Sequence, residues 1–331
     1  MKKIVVTGAC GFIGSHLCEM LVKKGYKVIA FDRYNINNDK GWLEKSKFKK
    51  DIEFILGDIR DYESVHHALK NCNHVFHLAA LIGIPYSYSN PLAYIKTNVE
   101  GTYNVLSAAK MHDLQQIIIT STSEVYGSAK YIPIDENHPC VGQSPYSASK
   151  ISADQLAISF YKSFNLPIKI ARPFNTYGPR QSERAVISSI IRQILDDNIK
   201  SIKIGSLETK RDFNYVQDTV SAFISLAEAK SQNTQFGSAY NAGTGQAVTI
   251  DNVLNKIIKL TGINKKIIQD KKRIRPKNSE VYNLVASSKK LNRLNGWKPE
   301  FTLEEGLLNT INWWKERKKK NKIRSSAKYA I

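Results

Sequence analysis

Short, continuously apolar runs recur along the first half of the chain and alternate with longer stretches that have helical spacing. In the longer stretches apolar side chains return every three or four residues, as at Ile13, Leu17 and Leu21. The short runs do not alternate with polar residues, which is typical of strands covered on both faces. This alternation of strand and helix predicts right-handed βαβ units and a doubly wound parallel α/β sheet. The predicted strands are 3–7, 27–32, 52–58, 74–80, 116–122 and 168–173.

The pattern becomes less regular after about residue 175. A turn-rich stretch covers 205–212, and a basic loop covers 271–276. We predict a first domain over 1–175 and a smaller C-terminal lobe, mainly over 176–314, that lies above the carboxyl ends of the strands.

Two later stretches, 214–228 and 250–260, keep helical spacing. They predict that the later chain is interleaved with the first domain and not strung after it. Segments of about 212–230 and 238–260 are therefore expected to pack back on the first domain.

The composition of the 331-residue chain, 42% apolar and 24% charged, excludes disorder along its whole length and suits one large α/β domain or two closely joined ones. Lys and Arg outnumber Asp and Glu by 49 to 29, for a formal net charge of +20, which suits a phosphate-bearing partner. Part of the excess lies in a basic tail, 315–331, after a last helix predicted to end near Trp313 and Trp314. We interpret the tail as solvated, and nucleic acid is not expected as a partner.

No apolar run approaches the roughly 20 residues that cross a bilayer, and the first residues lack the pattern of a secretory signal. We therefore expect no membrane partner and a cytoplasmic location. The four cysteines are scattered, without the spacing of a disulfide framework, at Cys10, Cys18, Cys72 and Cys140. No metal site is predicted, because no His/Cys cluster has ligand spacing.

A glycine-rich turn, Thr7-Gly8-Ala9-Cys10-Gly11-Phe12-Ile13-Gly14, joins the first predicted strand to the first helix. Its glycines let the backbone approach a pyrophosphate at the positive end of the helix. Asp32 ends the second strand, where a carboxylate accepts hydrogen bonds from a ribose diol and repels a 2′-phosphate. The turn predicts a Rossmann domain that binds NAD in preference to NADP. The predicted cofactor contacts here are Gly8, Gly11, Phe12, Ile13, Gly14 and Asp32.

Tyr146 and Lys150 stand four residues apart after a proline that suits the first position of a helix. On one helical face, the lysine ammonium would stabilise a phenolate and lower the pKa of the tyrosine, which makes it a usable base. Thr122, Ser123 and Glu124 stand at the end of the predicted fifth strand, where doubly wound sheets bind ligands. We predict that these five residues form a catalytic centre. For Ser123 alone, capping of the next helix is the alternative.

The GxxGxxG turn, Asp32, the Thr122 strand end and the Tyr146/Lys150 pair together resemble the extended short-chain dehydrogenases/reductases that act on nucleotide sugars. The likeness runs from about residue 1 to residue 314. It implies NAD as the cofactor and a homodimer formed through the helix of Tyr146 and a helix over 93–110. It also implies further cofactor contacts at Asp58, Ile59, Leu78, Ala79, Ala80 and Asn98.

The resemblance implies a nucleotide sugar as substrate. In this family Asn175 contacts the substrate diphosphate, and Arg211 and Arg275 serve the nucleotide, although each arginine could instead be a surface residue. The predicted substrate-binding residues are Pro85, Tyr86, Asn175, Arg180, Arg211 and Arg275.

Relatives of this kind first oxidise the sugar at C4, with Tyr146 taking the hydroxyl proton and Thr122 hydrogen-bonded to the same oxygen. A 4,6-dehydratase then needs a carboxylate to remove the C5 proton, which the C4 ketone makes acidic, and Glu124 matches that base. The dTDP-glucose 4,6-dehydratases carry an Asp where this chain has Ser123. That departure leaves two readings open: Ser123 relays the proton to the leaving C6 hydroxyl, or the reaction is a different one.

Stretches 85–88, 120–127, 172–180 and 211–216 most resemble the dehydratases of the legionaminic acid pathway, which act on a nucleotide-linked N-acetylglucosamine. We therefore favour a 4,6-dehydratase acting on a UDP- or GDP-N-acetylglucosamine and giving a 4-keto-6-deoxy sugar for surface-glycan biosynthesis. A UDP-glucuronate decarboxylase, which shares Thr-Ser-Glu, is the second candidate, and a UDP-sugar 4-epimerase is the third. A non-catalytic dinucleotide- or RNA-binding protein would have no reason to combine these catalytic residues.

Overall fold

Thirteen strands and eleven α-helices make up the part of the chain that the computed structural model describes, residues 2–229 and 235–320. The strands are β1 (Lys3–Thr7), β2 (Lys27–Arg33), β3 (Ile52–Gly57), β4 (His74–His77), β5 (Gln116–Thr120), β6 (Ile168–Pro173), β7 (Asn175–Tyr177), β8 (Ser201–Ile204), β9 (Lys210–Tyr215), β10 (Ser238–Ala242), β11 (Ala247–Thr249), β12 (Lys266–Gln269) and β13 (Asn283–Leu284). The α-helices are α1 (Phe12–Lys23), α2 (Tyr62–Leu69), α3 (Ile84–Ser89), α4 (Pro91–Tyr94), α5 (Gly101–Met111), α6 (Pro145–Phe164), α7 (Val186–Leu195), α8 (Val216–Glu228), α9 (Ile250–Thr261), α10 (Lys289–Asn295) and α11 (Leu303–Lys319). A π-helical turn, Ile95–Glu100, joins α4 to α5.

A seven-stranded parallel sheet forms the centre of the fold, in the order β10-β6-β5-β4-β1-β2-β3. All six predicted strands belong to it, and the doubly wound α/β class is confirmed. β4 ends at His77 and β5 at Thr120, earlier than predicted, because the chain there leaves the sheet and forms the loops of the candidate site. The seventh strand, β10, was not predicted, since its sequence Ser-Ala-Tyr-Asn-Ala lacks the β-branched residues of the others.

Both faces of this sheet are covered, as its continuously apolar strands predict. Neighbouring residues of a strand point to opposite faces, so Val6 packs in a core with residues of α1 and α8, and Val5 in a core with residues of α2, α5 and α6. Phe76 and Val75 of β4 divide in the same way. Each such side chain contributes about 1.5–3 kcal/mol to the stability of the fold when it is fully buried. The carboxyl edge of the sheet is therefore held rigidly.

The later chain contributes to both parts of the molecule. β10 pairs with β6 in the central sheet, and α8 packs on α1. α9, which the sequence places on the first domain, packs instead on α7 and α11, around a third core that includes Ile194, Leu254 and Ile311. The lobe also contains strands in the order β11-β9-β13, with β7 beside β9. The division at about residue 175 stays a prediction.

The stretch 205–212, predicted to be turn-rich, contains the start of β9. Residues 211–215 of this strand are all buried. The charged Arg211 and Asp212 give the segment the composition of a loop, but both are satisfied inside the protein. Asp212, for example, accepts hydrogen bonds from three backbone amides of the lobe at 2.8 to 3.0 Å. A strand that supplies charged groups to a buried site does not show an apolar pattern.

The last helix, α11, continues to Lys319, beyond its predicted end. A capping box between Thr302 and Glu305 opens it, and the basic residues of its last turn are favourable at the negative end of the helix dipole. Residues 315–319 of the predicted tail are therefore helical, and 321–331 lie outside the described residues. No helix in the described ranges is long and apolar enough to span a membrane.

Candidate active site

The glycine turn after β1 is shaped by contact with the end of β4. Gly8 has a φ of +68°, and a Cβ built on it would lie 2.8 Å from the Ala79 backbone nitrogen, so only glycine fits there. Oγ1 of Thr7 accepts hydrogen bonds from the amides of Leu78 and Ala79, both at 3.1 Å. These contacts lock two strand ends together and place the predicted cofactor residues Leu78, Ala79 and Ala80 beside the turn.

The start of α1 can hold a phosphate group. A Cβ on Gly14 would lie 2.2 Å from the Gly8 oxygen, which excludes any larger residue. Gly11 takes the N-cap position without a side-chain cap, so the first-turn amides at Phe12 and Ile13 remain available to an anion. The side chains of Phe12 and Ile13 pack against the core of the lobe, which leaves their backbone for a cofactor.

Asp32 lies near the end of β2, with its carboxylate turned toward the glycine turn. Its Oδ2 accepts a hydrogen bond from the Cys10 amide at 2.6 Å, and its Oδ1 accepts one from the Arg33 amide at 2.7 Å. The remaining lone pairs of this fixed carboxylate can accept hydrogen bonds from a ribose diol. Asp58, just after β3, pairs with Arg60 at 2.6 Å, and the hydrogen bond from this guanidinium lowers the pKa of Asp58.

Asn98 and Ile59 support the frame of the predicted cofactor region. Nδ2 of Asn98 donates to the Leu81 oxygen at 3.0 Å and to Oγ of Ser149 at 2.9 Å, and its Oδ1 accepts from the Leu81 amide at 2.8 Å. Both amide hydrogens are thus donated inside the protein and hold the loop after β4, and the predicted cofactor contact of Asn98 stays a prediction. The Ile59 oxygen is similarly engaged by Nδ2 of Asn104 at 2.9 Å.

Helix α6 carries Tyr146 and Lys150 in its first two turns. Two serines form a capping box at its start, and a proline takes its first position, so the rotation of the helix is well defined. Both side chains are buried, and Tyr146 hydrogen-bonds with Thr122. Nζ of Lys150 donates to the backbone oxygen of Thr120 at the end of β5. The structure thus brings the predicted pair to the carboxyl edge of the sheet.

The pKa of Tyr146 is raised, and the prediction that it is lowered is wrong for this structure. Burial is the largest cause, and it outweighs the hydrogen bond with Thr122, which acts in the opposite direction, while Glu124 raises the pKa further. Burial also lowers the pKa of Lys150 to about 8, against the attraction of Asp154. The prediction counted the lysine ammonium and omitted desolvation. Deprotonation of Tyr146 therefore depends on what binds beside it.

A short 3₁₀ helix, Ser123–Tyr126, follows β5 and carries the other predicted catalytic residues. Thr122 caps this turn, because its Oγ1 accepts a hydrogen bond from the Glu124 amide at 3.2 Å and its backbone is extended, as an N-cap requires. The capping alternative for Ser123 is therefore wrong, and its side chain is buried. Glu124 is close enough to Tyr146 to raise its pKa, so carboxylate and phenol share one site.

Two arginines of the lobe, Arg211 and Arg275, reach the neighbourhood of Glu124. Nη1 of Arg275 lies 3.5 Å from Oε2 of Glu124, and Nη2 of Arg211 lies 3.0 Å from Oε1 of Glu280. Burial lowers the pKa of Arg211, and Glu124 is the largest influence acting against that effect. The lobe thus holds two cations beside the predicted base, an arrangement that can bind a diphosphate.

Asn175 and Arg180 are placed differently from each other. Asn175 lies in β7, which pairs with β9, and its Nδ2 donates to the Asp212 oxygen at 3.5 Å, next to Arg211 in the chain. Nη2 of Arg180 donates to both carboxylate oxygens of Glu19 on α1, each at 3.0 Å. Among the contacts of the described residues, Arg180 joins the lobe to α1, and its predicted contact with substrate stays a prediction.

Pro85 and Tyr86 lie in the first turns of α3. The ring of Tyr86 is 39% exposed and lies 6.1 Å from the ring of Tyr94, which lies 6.2 Å from the ring of Tyr146. Three rings therefore lead from an exposed edge to the predicted catalytic phenol. Tyr94, which the sequence did not single out, is the buried link between them.

Asp154 and Glu280 are further charged residues of the site that were not predicted. Asp154 forms a buried ion pair with Arg172 at 2.9 Å and accepts a hydrogen bond from Oγ of Ser121 at 2.8 Å. It stands four residues after Lys150, so helical spacing could have identified it. Glu280 follows a loop of the lobe, and no local pattern marks it.

The fold and this geometry define a class of protein. A Rossmann sheet with a glycine turn, a Tyr/Lys pair on one helix and a threonine at the end of the fifth strand is the arrangement of the short-chain dehydrogenases/reductases. Within that class, residues 5–310 match the model of a family described as GDP-mannose 4,6 dehydratase, and the chain belongs to this family.

Individual relatives cover nearly the whole chain. It is 34% identical over 317 residues to a putative UDP-glucose 4-epimerase of Methanocaldococcus jannaschii, covering 94% of this chain and 98% of the relative. It is 32% identical to the dTDP-D-glucose 4,6-dehydratase of Homo sapiens, covering 95% and 90%. The crystal structure of dTDP-glucose 4,6-dehydratase from Bacillus anthracis in complex with NAD superposes with a TM-score of 0.84 at 27% identity, covering 96% and 98%. The chain is thus an enzyme of the nucleotide-sugar dehydratase and epimerase kind.

Proposed function

We propose that the protein is a nucleotide-sugar 4,6-dehydratase that uses NAD. The observation that carries the proposal is that Glu124 shares a site with Tyr146 and Thr122 at the carboxyl edge of the sheet. An epimerase needs only the phenol and the hydroxyl, whereas elimination across C5 and C6 also needs a base that takes the C5 proton. The dehydratases among the relatives support the same reaction.

The residues around the first strands fit NAD. Gly8 and Gly14 form a cradle that a Cβ would fill, and Asp32 presents a fixed carboxylate to a ribose diol. When bound, NAD accepts a hydride from C4 and returns it to C6. Because the hydride is returned within one turnover, we expect the cofactor to be recycled. The NAD bound to the Bacillus anthracis relative supports this assignment.

The side chains of the site divide the proton transfers among them. Tyr146 takes the proton of the C4 hydroxyl, and Thr122 hydrogen-bonds to the same oxygen. Lys150 keeps a positive charge behind them near neutral pH, since its pKa is about 8. Glu124 removes the C5 proton once the ketone at C4 has made it acidic. Ser123 then relays this proton from Glu124 to the C6 hydroxyl, which leaves as water. When the hydride returns to C6, C5 regains a proton and Tyr146 gives up the one it took from the C4 hydroxyl.

For the substrate we propose a UDP- or GDP-N-acetylglucosamine, converted to a 4-keto-6-deoxy sugar for surface-glycan biosynthesis. The support is the resemblance of 85–88 and 120–127 to the legionaminic acid pathway dehydratases. The diphosphate would bind Arg211, Arg275 and Asn175. A homodimer through α5 and α6 agrees with the exposure of aromatic side chains on these helices, Tyr103 and Phe164.

A UDP-glucuronate decarboxylase remains the second candidate. The observation in its favour is Arg275, because a guanidinium 3.5 Å from Glu124 could also bind a carboxylate at C6. In that reaction the ketone at C4 makes the substrate a β-keto acid, which loses carbon dioxide without a base at C5.

The deciding experiment is incubation with a panel of UDP-, GDP- and dTDP-sugars, UDP-glucuronate included, followed by mass measurement of the products. Loss of water from one N-acetylglucosamine nucleotide supports the proposal. Loss of carbon dioxide from UDP-glucuronate assigns the decarboxylase, and an isomer of unchanged mass assigns an epimerase. Net accumulation of NADH in proportion to product would contradict the internal return of hydride.

Replacement of the proposed base provides a second test. Glu124→Gln should lower water loss by about 100-fold or more, because it removes general base catalysis at C5. Oxidation at C4 should survive, visible as a transient absorbance of enzyme-bound NADH. Unchanged water loss in this variant would rule out a base role for Glu124, and full activity that forms an isomer of unchanged mass would favour the epimerase.

A further inference from the structure

Two arginine–carboxylate ion pairs lie next to each other, between the C-terminal lobe and the carboxyl edge of the central sheet. One joins Arg211 to Glu280 at 3.0 Å, and the other joins Arg275 to Glu124 at 3.5 Å. The pairs are close enough for Glu124 to act on both arginines and for Arg275 to act on Arg211. The proposed base of the reaction therefore belongs to a four-membered cluster of alternating charge.

The two pairs are not held equally. Arg211 also donates to the Lys210 oxygen at 3.0 Å, and Oε1 of Glu280 also accepts the Val281 amide at 3.2 Å. The side chain of Arg211 is 8% exposed, and that of Arg275 is 24% exposed. Arg275 is thus held by a longer bond at a more open position. It can change partner at a lower cost than Arg211.

The backbone that carries Arg275 is anchored at its far end. Oγ of Ser279 lies 2.6 Å from the Tyr88 hydroxyl and donates to the Gln143 oxygen at 2.8 Å. These bonds tie the segment to α3 and to the loop before α6. A change of partner by Arg275 is therefore a movement of its side chain and needs no opening of the lobe.

We propose that Arg275 couples diphosphate recognition to the release of Glu124, an inference that rests on the proposed function for its catalytic meaning. A diphosphate binds guanidinium bidentately and carries two negative charges against the one of a carboxylate, so a bound diphosphate takes Arg275 away from Glu124. Glu124 is then unpaired beside the sugar and can reach the C5 proton. Arg275 is a positioning residue in this scheme, and it makes the C5 step depend on a sugar that is linked to a nucleotide.

The pKa of Arg275 agrees with this geometry. Burial lowers it, but the neighbouring carboxylates Glu124 and Glu280 more than offset burial, and the net pKa is raised. The anion beside Arg275 thus offsets the cost of burying a guanidinium that is always charged. A diphosphate would meet the same requirement when Glu124 leaves.

A double-mutant cycle on nucleotide binding tests the coupling without turnover. The full-length, NAD-loaded protein is titrated calorimetrically with UDP, dTDP and GDP, and the tightest of the three is used for wild type, Glu124→Gln, Arg275→Gln and the double variant. If Glu124 competes for Arg275, Glu124→Gln tightens binding about 3- to 10-fold in the wild-type background and clearly less in the Arg275→Gln background, where only its effect on Arg211 remains. Arg275→Lys, which keeps the charge, should retain part of this difference.

Glu280→Gln is the matched control, because it removes an equal charge from the partner of Arg211. Because Glu280 also acts electrostatically on Arg275, the effect of Glu280→Gln on nucleotide affinity should differ between the two backgrounds, but by less than the effect of Glu124→Gln does. The proposal is overturned if Glu124→Gln has the same effect in both backgrounds, if it has no effect, or if none of the three nucleotides binds. A protein that passes this cycle and fails to release water from any sugar keeps the coupling and loses the proposed reaction. The reverse result leaves a dehydratase without the coupling.

Discussion

Two arginine–carboxylate ion pairs, one buried and one partly buried, show how differently the sheet and the lobe hold their charges. Asp154 and Arg172 meet at 2.9 Å with side chains 2% and 5% exposed, and Arg172 donates further to the Tyr126 hydroxyl at 3.0 Å. Glu124 and Arg275 meet at 3.5 Å with side chains 12% and 24% exposed. The first pair has several fixed partners and stabilises one arrangement. The second has few partners and is able to exchange one of them for a ligand.

The difference follows from where each pair stands. Asp154 lies on α6 and Arg172 on β6, so a helix and a strand packed in the same core hold the first pair from both sides. Glu124 lies in the short helix after β5 and Arg275 on a loop of the lobe, so no regular strand or long helix holds the second pair, although Val125 and Val281 nearby share a small core. The candidate site thus combines a rigid part, on the sheet edge and α6, with an adjustable part, the Glu124–Arg275 pair.

The largest effect is expected in the rigid part of the site. Tyr146→Phe should lower turnover about 10³- to 10⁴-fold, because the phenol that exchanges the C4 proton is lost while its ring still fills the space. The measurement is the initial rate of product formation by mass. Tyr131→Phe is the matched control, since Tyr131 is 44% exposed and its hydroxyl donates to Asp135, and this variant should stay within a few-fold of wild type. Comparable losses in both variants would contradict the assignment.

Breaking the buried pair should come next. Asp154→Asn should lower the free energy of unfolding by about 3–5 kcal/mol, because Arg172 is left buried without its counter-ion. Urea denaturation measures the change. Lys318→Ala breaks an ion pair with Asp197 whose carboxylate side chain is 81% exposed, and it should cost under about 1 kcal/mol. An equal loss in the free energy of unfolding for the two pairs would show that burial does not make the Asp154–Arg172 pair stronger than an exposed one.

Lys150 should make the free energy of unfolding of the protein depend on pH. Burial lowers its pKa from 10.5 to about 8, so between these values the unfolded chain holds a proton that the folded protein has released. Since the unfolded state binds more protons, stability rises with pH in this window. Relative to Lys150→Met, wild type should gain up to about 3 kcal/mol from pH 8 toward pH 10.5. A difference that does not change with pH would show that Lys150 titrates normally.

The smallest effect is expected in the adjustable part of the site, near Arg275. Ser279→Ala removes the hydrogen bonds with Tyr88 and Gln143 that anchor the segment of Arg275. Each such bond contributes about 1 kcal/mol, so the KM for the nucleotide sugar should rise a few-fold while kcat changes little. Ser152→Ala, on the exposed face of α6, is a suitable control. A large fall in kcat would place Ser279 closer to the chemistry than the structure does.

The sequence predicted the rigid part of the site well because the patterns that mark this part are local. The six strands, the glycine turn and the Tyr146/Lys150 pair depend on patterns that span a few residues, and the sheet gathers them at one edge. Asp154 obeys the same helical spacing and was within reach of that reasoning. β10 and β9 were harder to predict, because one lacks β-branched residues and the other carries Arg211 and Asp212.

What the sequence determined by itself is thus the class of sheet and the residues that its strand ends present, because apolar periodicity and turn chemistry act over short distances. The tertiary structure alone decided that Arg275 meets Glu124, that Asn98 is engaged by Leu81 and Ser149, and that burial raises the pKa of Tyr146. These facts depend on the packing of segments far apart in the chain and on the exclusion of water between them. Neither desolvation nor a long-range contact leaves a mark in the local pattern of residues.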